Sequence, residues 1–163
     1  MEGHSLSLRK TTYLLISLLI IIGDQVTKLL VTEHIRYYES IRVLPFFQIV
    51  NVKNTGAAFG LFRGLGNPFF IALSVAAICF ILYLILRDDS DLLSLSFILG
   101  GAAGNLIDRI RLGYVVDFLD FYLGKHHWPA FNIADAALTV GISLLFIRMV
   151  FEQRRRPETS NPQ

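Results

Sequence analysis

The sequence has few of the residues on which several common kinds of site depend. Its single cysteine, Cys79, excludes an internal disulfide and a cysteine-based metal site. The formal net charge is only +2, which gives no basic field of the kind that binds nucleic acid. No histidine lies within a long apolar run, so no haem ligand is expected there. The adjacent His126 and His127 have no further ligands at suitable spacing, which disfavours a metal site.

What the sequence has in excess is apolar residues. Hydrophobic residues make up 53% of the 163 positions, and the mean hydropathy is +0.53. This is more than one soluble core of that size can bury. We therefore expect an α-helical integral membrane protein with one domain, 1–163, and a polar tail, 152–163. Four transmembrane helices are predicted, at about residues 11–31, 68–86, 92–111 and 133–151.

The first apolar segment begins like a secretory signal peptide, because Arg9 and Lys10 precede it. It is longer than the apolar region of a signal peptide, and no small-residue cleavage site follows it, so a retained helix is predicted. Asp24 and Lys28 stand four residues apart in this helix and therefore share one face, on which they can pair. Such a pair is either purely structural or part of a site.

Residues 32–67 are predicted to leave the membrane as a small β-rich platform, with a short helix or loop before the second span. Within this segment, residues 42–53 have the β-branched and aromatic content of short strands. The run from Asn54 to Gly60 follows, with small residues and two glycines, one of them Gly56. Such a run permits close approach of the backbone to a ligand, or is simply a turn.

Polar residues also end the third apolar segment, where Asn105, Asp108 and Arg109 lie within one helical turn of each other. Unpaired polar groups are costly in that position, so these side chains should pair with each other or with a site. For Arg109 there is a simpler explanation that needs no partner, because its long side chain can reach the membrane interface. Gly100 and Gly104 have the spacing that lets membrane helices pack closely, within one chain or between chains.

The distribution of positive charge predicts the orientation. Four spans place both termini on one side, and Arg9 and Lys10 near one end with the arginines of 154–156 near the other favour the cytoplasm. In this topology, polar residues from separate parts of the chain converge at one depth, towards the outer face. They are Asp24, Lys28, Asn105, Asp108, Arg109, Asp117, Asn132 and Asp135.

Asp135 stands at the head of the fourth apolar segment, where an acid is a candidate functional residue, and Asp117 is its predicted partner. Two carboxylates close together in a dry site share a proton, the arrangement of an aspartic protease. Asn132 lies on the same helical face as Asp135 and orients a carboxylate or donates to the developing oxyanion. A small transporter or proton channel is the alternative, but its acids should line a path across the membrane rather than cluster at one depth.

Five ordered segments of the sequence carry a resemblance to a known family. They run from Asp24 to Lys28, from Asn54 to Gly60, from Gly104 to Arg109, from Val115 to Phe118 and from Phe131 to Asp135. They resemble the lipoprotein signal peptidases, or type II signal peptidases, of bacteria, and the resemblance covers almost the whole chain.

The resemblance implies a four-helix aspartyl endopeptidase of the bacterial inner membrane that removes the signal peptide of a prolipoprotein just before its diacylglyceryl-modified cysteine. It implies Asp117 and Asp135 as the catalytic residues, and no metal or organic cofactor. It also implies inhibition by globomycin. Independently of the resemblance, we expect contacts with membrane lipids, a monomer, and an active site on the periplasmic side with both termini in the cytoplasm. The residues that match the family's supporting positions are Asp24, Lys28, Asn54, Gly56, Asn105, Asp108, Arg109 and Asn132.

Overall fold

The structure, a computed structural model, describes residues 8–56, 64, 66–87 and 90–155. This part of the chain is mostly helical, with a small antiparallel sheet. In chain order its elements are α1 (Leu8–His34), β1 (Ser40–Leu44), β2 (Phe47–Asn54), α2 (Gly66–Arg87), α3 (Leu92–Leu112), β3 (Val115–Leu123), β4 (His126–His127) and α4 (Ile133–Arg155). Within the described ranges, three helices are long and apolar enough to cross a membrane: α1, α2 and α4.

Helix α3 is the centre of the bundle and packs against α1, α2 and α4. Its glycines allow this close approach, since a Cβ at Gly100 would lie 2.9 Å from Cβ of Ile20 in α1. A Cβ at Gly101 would clash with the carbonyl of Ala134 in α4. The close packing predicted around Gly100 and Gly104 therefore occurs within the chain. Backbone contact of this kind takes the place of the hydrophobic driving force that helices lack in lipid.

An apolar cluster stabilises the end of the bundle at which α2 ends and α3 begins. Its buried residues come from α2 and α3: Ile81, Ile85, Leu92, Leu95 and Leu99. Tyr13 and Leu14 of α1 pack against them. This cluster stabilises that end of the bundle through dispersion contacts between its closely packed side chains. The predicted site residues of α3, Asn105, Asp108 and Arg109, lie towards the other end of the helix, from which the chain continues into β3.

The sheet has the strand order β1-β2-β3-β4, with antiparallel neighbours throughout. Strands β1 and β2 form a hairpin. Strand β3, which follows α3 in the chain, pairs with β2. In the β2–β3 register, Val52 lies opposite Asp117 and Asn54 lies opposite Val115. The sheet therefore includes a strand from outside the predicted platform segment 32–67, and this strand carries Asp117.

The sheet is also joined directly to the start of α4. The Leu119 N–H donates to the Phe131 carbonyl at 2.8 Å, and the Phe131 N–H donates to the Leu119 carbonyl at 3.1 Å. Phe131 immediately precedes Asn132 in the chain. As a result, β3 and the first turn of α4 are held at a fixed separation.

Some predicted features lie outside the described residues. Of the small-residue run from Asn54 to Gly60, residues 57–60 are outside, as is most of the short helix or loop predicted before the second span. The tail from residue 156 is outside as well. Helix α1 ends at His34, a few residues beyond its predicted end, and so includes the start of the predicted platform segment.

Candidate active site

The first turn of α4 is closed by a reciprocal pair of caps. The Asp135 N–H donates to Oδ1 of Asn132 at 2.8 Å, and the Asn132 N–H donates to Oδ2 of Asp135 at 3.3 Å. This is the capping-box arrangement, in which residues three apart satisfy each other's free N–H groups. It fixes the Asp135 carboxylate at a helix N-terminus, where the helix dipole favours a negative charge.

Asp117 is held by two asparagines and is only 2% exposed. Its Oδ1 accepts a hydrogen bond of 2.7 Å from Nδ2 of Asn132, and its Oδ2 accepts one of 2.9 Å from Nδ2 of Asn54. The Gly56 N–H donates to Oδ1 of Asn54 at 3.0 Å, which fixes the orientation of that amide. Asn132 thus contacts both Asp117 and Asp135. We call these two residues, Asp117 and Asp135, the acid pair.

A third asparagine completes the support of the acid pair. Nδ2 of Asn105 donates to Oδ1 of Asp135 at 2.7 Å. Oδ1 of Asn105 accepts from Nζ of Lys28 at 3.1 Å and from Nδ2 of Asn132 at 3.2 Å. Because an ammonium group can only donate, Lys28 selects the amide orientation that offers the N–H group of Asn105 to Asp135.

Behind the acid pair lies a buried cluster of charges. Nζ of Lys28 lies 2.8 Å from Oδ2 of Asp24 and 3.0 Å from Oδ2 of Asp108, so the predicted pair of Asp24 and Lys28 is present and gains a second acid. The other oxygen of Asp24 accepts from the Ala134 N–H at 2.9 Å. Buried charges need such pairing, and here it ties α1 and α3 to the start of α4.

Asp108 and Arg109 are adjacent but point in different directions. Asp108 joins the buried cluster, whereas Arg109 lies with its guanidinium 5.1 Å from the centre of the Phe70 ring. Nη2 of Arg109 donates to the Gly56 carbonyl at 3.3 Å. Arg109 therefore contacts the residues around the site instead of extending freely to the membrane interface.

A cavity of about 800 Å³ opens beside these residues. Helices α2, α3 and α4 and the segment 128–131 line it, mostly with apolar side chains. Its polar wall is small and consists largely of residues already described: Asn54, Gly56, Asn105, Arg109 and Asp135. An apolar cavity with a few convergent polar groups is the usual form of a binding site for a small or extended ligand.

The surroundings of Asp117 favour its protonated form. Burial and, next, the charge of Asp135 raise the pKa of Asp117 to about 7, against hydrogen bonds from Asn54 and Asn132 and the charge of Lys28. Two acids that interact in this way titrate as a unit. The acid pair can therefore hold one proton at neutral pH.

The structure brings all ten predicted site residues into one connected region, including those separated by more than a hundred positions. Gln25 is not among the predicted site residues, although a polar residue within an apolar segment is a signal in itself. Across the described ranges, no group of three or more His, Cys, Asp or Glu residues could hold a metal ion. His127 instead pairs with Asp120, at 2.9 Å.

Comparison with known proteins identifies the family. A family model described as Signal peptidase (SPase) II matches residues 16–151. A lipoprotein signal peptidase of Geobacter metallireducens is 49% identical over 140 residues, which cover 82% of this chain and 86% of the relative. One of Thermodesulfovibrio yellowstonii is 43% identical over 140 residues, covering 86% and 94%. A solved bacterial membrane enzyme matches with a TM-score of 0.84 at 32% identity, over 93% of this chain and 95% of its own. The chain therefore belongs to the signal peptidase II family, a family of bacterial membrane proteases.

Proposed function

We propose that this protein is an aspartic endopeptidase that removes signal peptides from prolipoproteins, with Asp117 and Asp135 as its catalytic residues. It cleaves the amide bond on the N-terminal side of the diacylglyceryl-modified cysteine. The name of the relatives, lipoprotein signal peptidase, supports this class of substrate. The observation that carries the catalytic assignment is that Asn132 contacts the carboxylates of both Asp117 and Asp135, and that Asp135 lines a largely apolar cavity.

The acid pair suits hydrolysis of an amide. The ionised carboxylate takes a proton from a water molecule that attacks the carbonyl carbon, while the protonated one polarises the carbonyl oxygen and then protonates the leaving amine. Three asparagines already hold the carboxylate oxygens, so little rearrangement is needed. Asn132 is fully buried and its Nδ2 donates to protein oxygens, which favours its orienting role over a contact with the oxyanion.

The cavity suits a lipid-modified peptide. Its apolar lining includes Leu73 of α2 and Leu138 of α4, against which acyl chains can pack. Arg109 and the backbone at Gly56 lie nearer the acid pair, where the peptide must be held. The β-rich platform adjoins the same end and can hold the peptide so that its scissile bond meets the acid pair.

For the topology we propose four spans, with α3 as the fourth, and a site on the periplasmic side of the inner membrane with both termini cytoplasmic. Among the described helices, α3 does not meet the length and apolarity that mark α1, α2 and α4 as candidate spans, but it packs among them. Its residues Asn105, Asp108 and Arg109 face the site instead of lipid. We also propose that the protein acts as a monomer and needs no cofactor. Globomycin is the inhibitor that we expect to occupy the acid pair.

Cleavage of a purified diacylglyceryl-modified prolipoprotein, followed by gel shift, tests this proposal. Asp117→Asn and Asp135→Asn should each lose at least about a hundredfold in rate, because an amide can neither act as the base nor pass on the shared proton. Asp120→Asn is the matched control, since Asp120 lies on the same strand but pairs with His127. Each variant is checked for folding by its thermal transition. A folded Asp117→Asn or Asp135→Asn variant that cuts at nearly the wild-type rate would show that the assignment is wrong.

A further inference from the structure

Gln25 of α1 lies at the interface between α1 and α3, behind the acid pair. Its Nε2 lies 2.9 Å from Oδ1 of Asp108, 3.2 Å from Oδ2 of Asp24 and 3.2 Å from the Gly104 carbonyl. The side-chain amide has two N–H hydrogens to share among these three acceptors. Gln25 therefore connects two buried carboxylates with the backbone of α3.

The two oxygens of Asp108 depend on different donors. Oδ2 accepts from Nζ of Lys28 at 3.0 Å and from the Val116 N–H at 3.0 Å. Oδ1 accepts from Gln25, and within the described ranges no other group donates to it. Asp108 is only 3% exposed. Without Gln25, a buried carboxylate oxygen would lose its donor, and the carboxylate would turn towards the donors that remain.

The charge of the buried cluster explains why a neutral donor is suited to this position. Asp24 and Asp108 share a single ammonium group, that of Lys28, so two negative charges face one positive charge. Gln25 donates to both acids and stabilises the additional negative charge without adding a charge of its own. A second cation here would instead change the electric field at the acid pair.

The effect of Gln25 reaches the acid pair through the backbone. Asp108 accepts from the N–H of Val116, at the start of β3, and the next residue in that strand is Asp117. We propose that Gln25 is a positioning residue, which fixes Asp108 and thereby the backbone that presents Asp117. This inference rests on the catalytic role proposed above for Asp117. Since Gln25 does not line the cavity, it acts on the rate of the chemical step and not on substrate binding.

The test compares Gln25→Met with Val26→Met in the cleavage of a diacylglyceryl-modified prolipoprotein. Gln25→Met keeps the length of the side chain and removes its donors. Val26→Met introduces the same side chain at the neighbouring residue, which is 49% exposed. Because small displacements of a catalytic group are costly, kcat of Gln25→Met should fall about 10- to 100-fold, with KM within about twofold of wild type. Val26→Met should match wild type. A folded Gln25→Met variant with unchanged kcat, or with a loss confined to KM, overturns the inference.

A second variant keeps the inference testable if Gln25→Met does not fold. In Gln25→Glu the introduced carboxyl can donate to Asp108 only while it is protonated. The ratio of its kcat to that of wild type should therefore rise as the pH falls from about 8 to about 5. A ratio that does not change with pH overturns the positioning role. Wild type and Asp117→Asn are assayed in parallel, and a folded Asp117→Asn variant that stays active contradicts the proposed function itself, whatever Gln25 does.

Discussion

Replacing Asp117 by asparagine should change the stability of the protein in opposite directions at low and high pH. Burial and the charge of Asp135 raise the pKa of Asp117 from 3.8 to about 7 in the folded state. Between these two values the unfolded chain has released the proton that the folded state still holds. The free energy of unfolding of the wild type therefore falls as the pH rises through this interval.

The size of the effect follows from the same shift. A change of about three pKa units corresponds to a loss of up to about 4 kcal/mol in the wild type between about pH 4 and pH 7. Asparagine does not ionise, so the variant avoids this loss. Its NH2 group, however, must face one of two Nδ2 donors, that of Asn54 or that of Asn132, and an unsatisfied buried donor costs about 1–3 kcal/mol. Asp117→Asn should be less stable than wild type near pH 4 and more stable near pH 8, by about 1–3 kcal/mol in each case.

Thermal unfolding of the two purified proteins in the same detergent, at about pH 4 and about pH 8, measures this difference. The expected result is a difference in Tm that changes sign between the two conditions, together with loss of cleavage by the variant at both. A Tm difference of the same sign and size at both pH values would refute the reasoning, because Asp117 would then release its proton at the same pH in the folded and unfolded states.

Two further changes test the support of the acid pair and the packing behind it. Asn54→Ala removes a hydrogen bond that favours the ionised form of Asp117, so Asp117 should keep its proton to higher pH. The alkaline limb of the pH–activity profile should therefore move to higher pH, whereas Thr55→Ala at the exposed neighbouring residue should not move it. Gly104→Ala would place a Cβ 2.7 Å from a buried carboxylate oxygen of α1 and should lower the free energy of unfolding by about 1–3 kcal/mol. Gly23→Ala, with nothing within 4 Å of its Cβ, should be neutral or slightly stabilising in the same thermal unfolding assay.

The parts of the site that could be predicted from the sequence are those set by the helical repeat. Asp24 and Lys28 pair because residues four apart share a helical face, and Asn132 and Asp135 contact because residues three apart close the first turn. The long apolar segments likewise fixed the positions of the helices, within a few residues at their ends. Local spacing was sufficient in each of these cases.

Contacts between distant segments could not be read from local spacing. The hydrogen bond of Asn54 to Asp117 joins residues 63 positions apart and depends on the register of β2 against β3. The sequence does not specify which partner a short strand will find, so β3 was not predicted as a strand. The separation of Asp108 from Arg109, and the role of Gln25, depend in the same way on how α1 packs against α3.

The hydrogen bond between the Ala134 N–H and Asp24 spans 110 residues, and it has a consequence for the synthesis of the protein. A ribosome completes the first helix long before it adds the turn that contains Asp135. Until α4 has entered the bilayer and docked, Asp24 lacks this contact and the acid pair has only one of its members. A nascent chain therefore acquires the complete acid pair, and the contact that ties α1 to α4, only once α4 has been made and has docked.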